Sequence, residues 1–326
     1  MSNQVLSILN KSFKKKDKYN IITFNTHERY QIQLSKTGHD FYAFNFDGGK
    51  DWFDGHGKMP ENYYQLPKNL IHSGIDFDFI LVNSKFGQYQ VASQINRALK
   101  LPIVCLEHTL PLPQWSDQQL KHFQSMLGNI NVFITEYSKN KWGIDGEVVY
   151  HSIDAELFKS NKNLTRKGVL TVAHDFINRD YALNYRGWER ITKGLDRKVV
   201  GETKGLSQQS KSVDDLIKCY QEASVYINPS VLSPVPTSML EAMACECAVV
   251  TTATCEIPNI IKHGVNGFIS NDESKLRGYI ERLLEDNKLR EEIGINARKT
   301  ILDRFSEEKF LDKWNKIFNQ AYEVKK

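Results

Sequence analysis

In PTSMLEAMACECAVV, residues 236–250, one carboxylate, Glu241, stands in a run that is otherwise small or apolar until Glu246. Such an acid needs a bound partner, because withdrawing its charge from water unpaired costs several kcal/mol. Met239, Leu240, Met243 and Ala244 recur at helical spacings after Thr237, and Pro236 suits the first helical position. Ala248, Val249 and Val250 then read as a short buried strand. Ser233 or Thr237 can cap the helix start, whose free backbone N–H groups form an anion site, and Glu241 falls about one turn further in. Phosphate on the amides and ribose hydroxyls on the acid would satisfy every one of these groups.

The elements that must position this unit alternate. YNIITFN, HDFYAFNF, DFDFILVNS, LPIVCLEH and NINVFIT are strand-like, with helical patterns such as QVASQINRALK between them. A second set runs through GVLTVAH, DRKVVG, SVYINPS, CAVVTT and NGFIS, after the polar stretch FKSNKNLTRKG. Parallel strands with crossover helices, twice over, predict two doubly wound α/β domains, and ligands of such sheets gather beyond the strand carboxyl ends. The expected division is 1–153, 154–305 and a last helix over 306–326, with Ser306 as its cap and Trp314 and Phe318, four apart, packing it.

Composition is that of an ordinary globular chain: 326 residues, 40% hydrophobic, 25% charged, formal net charge +4. No apolar run approaches the roughly 18 residues of a membrane span, and no signal-type segment opens the chain, so a cytoplasmic protein is expected. The five cysteines have neither disulfide nor zinc spacing, and Cys245 and Cys247 read as core. Lys11, Lys14, Lys15 and Lys16 crowd near the start; such a run suits solvated surface, an anionic inner membrane face or a nucleic acid backbone. Asp76 and Asp78 lead directly into a strand and read as its opening residues, so no acidic pair in a loop points to a metal.

PVPTSMLEAMACECAVVTTATCEIPNIIKHGVNGFISND resembles the C-terminal signature of family 4 retaining glycosyltransferases, roughly E-G-x-P-x-x-x-L-E-A-M-A-x-G-x-P-V-V followed by G-x-x-G. The resemblance implies a GT-B fold: two Rossmann-like domains facing a central cleft, the last helix crossing back to the first. It implies a nucleoside-diphosphate sugar as co-substrate, with no permanently bound cofactor and no metal. Glu241 would take the donor ribose, and Ser238 and Met239 would lend amides to the diphosphate, beside Thr237. In VAHDFINRD the family's arginine and lysine become His174 and Arg179, both on the diphosphate, with Arg179 the cation that stabilises it as it departs. LEHTLP resembles the segment whose histidine, here His108, approaches the transferred sugar. Ser233 stands where the family has an acid, Glu246 where it has glycine, Ala248 where it has proline and Asn259 where it has glutamate.

On the first domain, His27, Glu28 and Arg29 follow the strand IITFN, which suits either an acceptor site or a charged first helical turn. GGKDWFDGHGK, with Trp52, reads as a mobile loop able to close over an acceptor, or as a turn with one anchored ring. The acceptor hydroxyl belongs to a glycan or lipid-linked sugar, or to a hydroxymethylated DNA base flipped from its duplex; DNA affinity would fall steeply with salt. A non-catalytic GT-B protein that binds a nucleotide sugar or glycan is the rival from another class.

Overall fold

A computed structural model describes residues 16–325. Strands β1 (Asn20–Thr23), β2 (Asp40–Ala43), β3 (Tyr63–Gln65), β4 (Phe79–Val82), β5 (Ile103–Glu107), β6 (Ile130–Phe133) and β7 (Glu147–Val148) form a parallel sheet in the order β3-β2-β1-β4-β5-β6-β7. β4 and β5 are buried at every position, which is why FILV and IVCLE are nearly unbroken apolar runs. Helices α1 (Glu28–Ser35), α2 (Gln88–Leu99), α3 (Asp117–Gln124) and α4 (Glu136–Trp142) accompany this sheet.

The second sheet has five parallel strands, β8 (Lys167–Val172), β9 (Arg197–Val200), β10 (Ala223–Asn228), β11 (Ala248–Thr251) and β12 (Phe268–Ile269), in the order β12-β11-β10-β8-β9. Its helices are α5 (Asp180–Leu183), α6 (Tyr185–Thr192), α7 (Val213–Glu222), α8 (Thr237–Ala244), α9 (Ile257–Ile260), α10 (Glu273–Glu285) and α11 (Asn287–Arg304). The last helix, α12 (Glu307–Lys325), returns to the first sheet: Trp314 Nε1 donates to Tyr30 Oη at 3.0 Å, and Lys325 Nζ donates to the Phe77 carbonyl at 2.7 Å. Ser306 Oγ accepts from the Lys309 amide at 3.4 Å.

α8 is held at its carboxyl end by Arg298, which donates to the carbonyls of Ala244, Phe158 and Ala155. Glu246 just beyond has φ 56°, the left-handed conformation that glycine adopts without a Cβ penalty. The backbone thus has a shape that suits glycine although the residue is Glu246, and Lys162 pairs with its carboxylate. Cys245 and Cys247 are buried. Asp78 is buried and opens β4, accepting from the Asn20 amide at 2.8 Å and pairing with Lys16 at 2.7 Å. That ion pair engages Lys16, the last of the basic run that suits solvated surface, an anionic membrane face or a nucleic acid backbone; Lys11, Lys14 and Lys15 lie outside the described residues. Among the described residues no helix is long and apolar enough to cross a membrane.

Candidate functional site

Between the two sheets lies a cavity of about 720 Å³ walled by both halves of the chain. His27, Glu28 and Arg29 line it from the first half, and His174, Arg179, Ser233, Thr237, Ser238 and Glu241 from the second. The sequence therefore names residues that converge from distant segments, Arg29 and Glu241 being 212 positions apart.

Glu241 is 2% exposed and is held on both oxygens. Oε1 accepts from Arg29 Nη1, an ion pair that spans the two domains, and Oε2 accepts from Tyr220 Oη at 2.8 Å. Burial and the adjacent carboxylate raise the Tyr220 phenol well above its ordinary value, so it remains a donor. An ionised carboxylate has about four lone-pair sites, so two further acceptor positions remain for ligand hydroxyls.

The start of α8 differs in detail from expectation. Pro236 is the cap residue rather than the first helical one, and no side chain caps it; its pyrrolidine fixes the approach instead. The Met239 amide already donates to the Pro236 carbonyl at 3.0 Å, and its side chain is core, so Met239 is a poor diphosphate donor. The Thr237 and Ser238 amides belong to the first turn, where backbone N–H groups lack helical acceptors. Ser238 Oγ is tied to Tyr226 Oη at 2.7 Å, which anchors this turn to β10.

His174 and Arg179 sit on the loop after β8. The walls of the cleft strip water from His174 and lower its pKa, and His56, Arg29 and Arg179 push it the same way. This loop is pressed against the end of β9 at Gly201, where φ is 119° and a Cβ would lie 2.1 Å from the Ala173 carbonyl oxygen. Only glycine allows that approach.

His108 does not reach the cavity. It is 7% exposed, its ring contacts His27 at 4.3 Å between centroids, and His27 is the ring that lines the cleft. His27 gets there by a left-handed backbone (φ 53°) at the cap of α1, a cost that such sites commonly carry. Burial lowers both His108 and His151, the latter to about 3, keeping them neutral. His108 follows Glu107, a buried acid that accepts from the Lys85 amide at 3.0 Å and the Thr109 amide at 2.8 Å and thereby fixes the turn. Among the described residues no group of three or more His, Cys, Asp or Glu side chains gathers as a metal centre.

The loop of residues 45–58 is braced rather than loose. Trp52 turns inward, its indole N–H donating to the Gly57 carbonyl at 2.9 Å and its ring lying 4.9 Å from that of Tyr63. It anchors the loop and is absent from the cavity wall, so the acceptor role expected of it does not fit. His56 Nδ1 meets Glu28 Oε2 at 2.9 Å and ties the loop to α1. Lys50, His56 and Lys58 line the cavity instead, together with His151 behind. Sequence reasoning missed these, along with Tyr220, because each gains its place only from tertiary packing.

Residues 204–300 match the family described as Glycosyl transferases group 1. An uncharacterized glycosyltransferase of Methanocaldococcus jannaschii is 35% identical over 116 residues, which is 35% of this chain and 28% of that protein. The capsular polysaccharide biosynthesis glycosyltransferase CapM of Staphylococcus aureus is 31% identical over 111 residues, 33% of this chain and 29% of that one. The matched region is thus less than a third of either relative. HepE of Anabaena, solved in complex with UDP, is similar in fold at a TM-score of 0.72 and 14% identity, over 93% of this chain and 100% of that structure. The chain therefore has the GT-B fold, and residues 204–300 in its second half are similar to the group 1 glycosyltransferases.

Proposed function

We propose that the protein transfers a sugar from a nucleoside diphosphate to an acceptor hydroxyl, with retention at the anomeric carbon. The observation that supports this is the second domain's wall of the cleft, where Thr237 and Ser238 in the first turn of α8, Arg179 and Glu241 line one cavity. Amides and guanidinium suit a diphosphate, and the carboxylate suits ribose hydroxyls. HepE has also been solved with UDP-glucose, so a UDP-sugar is the first donor to examine. CapM is named for capsular polysaccharide, which favours a glycan acceptor.

In the reaction the acceptor oxygen bonds to the anomeric carbon as the bond from that carbon to the diphosphate breaks. The electron pair leaves on the diphosphate, and the acceptor proton passes to a diphosphate oxygen. Negative charge grows on the leaving group, so donors fixed in advance strengthen in the transition state. Arg179 and the start of α8 fill that role. His27, the ring that lines the cleft, is the histidine the sugar would meet, with His108 positioning it from behind.

A panel of UDP-, GDP- and ADP-sugars tests the reading by release of free nucleoside diphosphate. Release by the wild type, falling on the order of 10²- to 10³-fold in Arg179→Ala, is expected. Tight binding of a donor with no turnover under any acceptor would contradict it and favour a protein that only binds.

A further inference from the structure

The charges that line the cleft are not balanced. Its acids are already engaged: Glu28 with His56, Asp154 with Lys36 at 3.2 Å and with the Leu157 amide, and Glu241 with Arg29 and Tyr220. Of its cations, Arg29 is paired, whereas Lys50, Lys58 and Arg179 have no acidic side chain within ion-pair reach among the described residues. Arg179 stands on the donor's wall. Lys50 and Lys58 line the cavity from the first half of the chain, in the loop of residues 45–58, whose His56 ring lies 6.0 Å from that of His174.

That loop sorts its charges. Asp47 pairs outward with Lys68 at 2.6 Å, Asp51 accepts from Asn45 at 3.3 Å, and neither these nor Asp54 line the cavity. Lys50, His56 and Lys58 do, and Lys50 lies near enough to His27 to act on its charge. The bracing already described holds the sorting in place. Gly57 (φ 129°) presses so closely on Ile32 that a Cβ there would fall 2.5 Å from its Cδ1, and the Asn69 amide fastens the loop's start to the Asn45 carbonyl at 2.8 Å. Two unpaired ammonium groups on a fixed segment, facing a cleft with no free acid, create a positive field that raises the local concentration of anions.

We propose that the acceptor is anionic: a hydroxyl compound whose phosphate or carboxylate is held by Lys50 and Lys58 on the first domain's wall. This rests on the transferase reading above and adds the charge class of the second substrate. The donor's diphosphate is assigned to Arg179 and the start of α8 in the second half of the chain, so the lysines that the first half contributes are left for a second anion.

The test uses the full chain and the double variant Lys50→Gln, Lys58→Gln; both side chains are exposed, so the fold should not depend on them. Each protein is saturated with whichever of UDP, GDP or ADP stabilises it most, and inorganic phosphate is then titrated in thermal-shift measurements. The expected result is a further phosphate-dependent rise in the wild type that disappears in the variant, with the effect of the nucleotide itself unchanged. Transfer is followed in parallel to glucose, glucose 6-phosphate and glucuronate, and to phosphatidylcholine vesicles with and without phosphatidylglycerol. A preference of tenfold or more for a charged acceptor, expressed in KM and lost in the variant, is expected; whether the soluble or the vesicle-borne phosphate is used identifies its source. Absence of the phosphate increment in the wild type, or a variant that weakens the nucleotide and keeps the increment, overturns the proposal and assigns the lysines to the donor. No stabilisation of the wild type by any of the three nucleotides overturns the transferase reading beneath it.

Discussion

Arg29 is the residue whose role the sequence concealed most fully. It stands beside His27 and Glu28 as one charge among several, yet its partner is 212 positions away in the other domain. Glu241, by contrast, was legible, since a lone acid among Met, Leu and Ala must be bound by something. Removing Arg29 leaves that acid buried with Tyr220 as its only donor, and for a fully buried pair such a loss costs about 3–5 kcal/mol. The Arg29 side chain is 32% exposed, so solvent softens the effect. Arg29→Met should therefore lower stability in urea unfolding by on the order of 1–2 kcal/mol. A loss of nothing measurable would mean the pair is incidental. His174 supplies a second prediction. Its pKa is below the ordinary value in the free protein, and a nearby diphosphate favours the charged ring, so binding takes up a proton. Donor affinity should tighten as pH falls from 8 toward 6, and His174→Gln should flatten that dependence in titrations across pH.

Strands and helices were read well where they are long or fully buried, because an unbroken apolar run or a helical spacing survives without context. β3 and β7, three and two residues long, carry too little pattern to stand out; both are edge strands made by pairing with a neighbour. GGKDWFDGHGK, read either as a mobile loop or as a turn with one anchored ring, takes the second form, and the sequence could not choose because the bond from Trp52 to Gly57 and the contact with Tyr63 exist only in three dimensions. Trp52 itself was taken for a ligand residue, and an inward-facing ring cannot be told from an outward one by composition. Gly201 was unremarked, although the loops after β8 and β9 depend on it. Gly201→Ala combines an unfavourable φ with a clash against backbone, so a loss on the order of 3 kcal/mol is expected in denaturant unfolding, with weaker nucleotide stabilisation through the displaced His174.

At the scale of the molecule, two sheets are joined by a small set of polar contacts beside the apolar seam under α12. Arg29 meets Glu241, and Glu256 accepts from the Tyr137 amide and from Tyr150 Oη, each at 2.9 Å. The division into two αβ sets was foreshadowed by alternation in the sequence and the returning helix by the family resemblance, whereas the contacts that fix one half against the other were not, since they pair residues with no periodic relation. Buried neutral histidines make the whole dependent on pH. Burial lowers His39 to about 4 and His151 to about 3, while the unfolded chain titrates near 6.5. The unfolded state thus binds more protons below that value, so stability should decline as pH falls from about 6.5 toward 4 and stay level above it as far as these groups decide. His151→Asn should shallow the decline in unfolding curves measured at several pH values.

The donor site can be examined most directly by calorimetric titration of UDP, GDP and ADP into the wild type and Glu241→Ala. One nucleotide should bind the wild type at a single site per chain and bind the variant on the order of tenfold or more weakly, the loss typical of hydrogen bonds to a charged group. Equal affinity in both proteins would remove Glu241 from the site and with it the reading of this cleft as the seat of a nucleotide sugar.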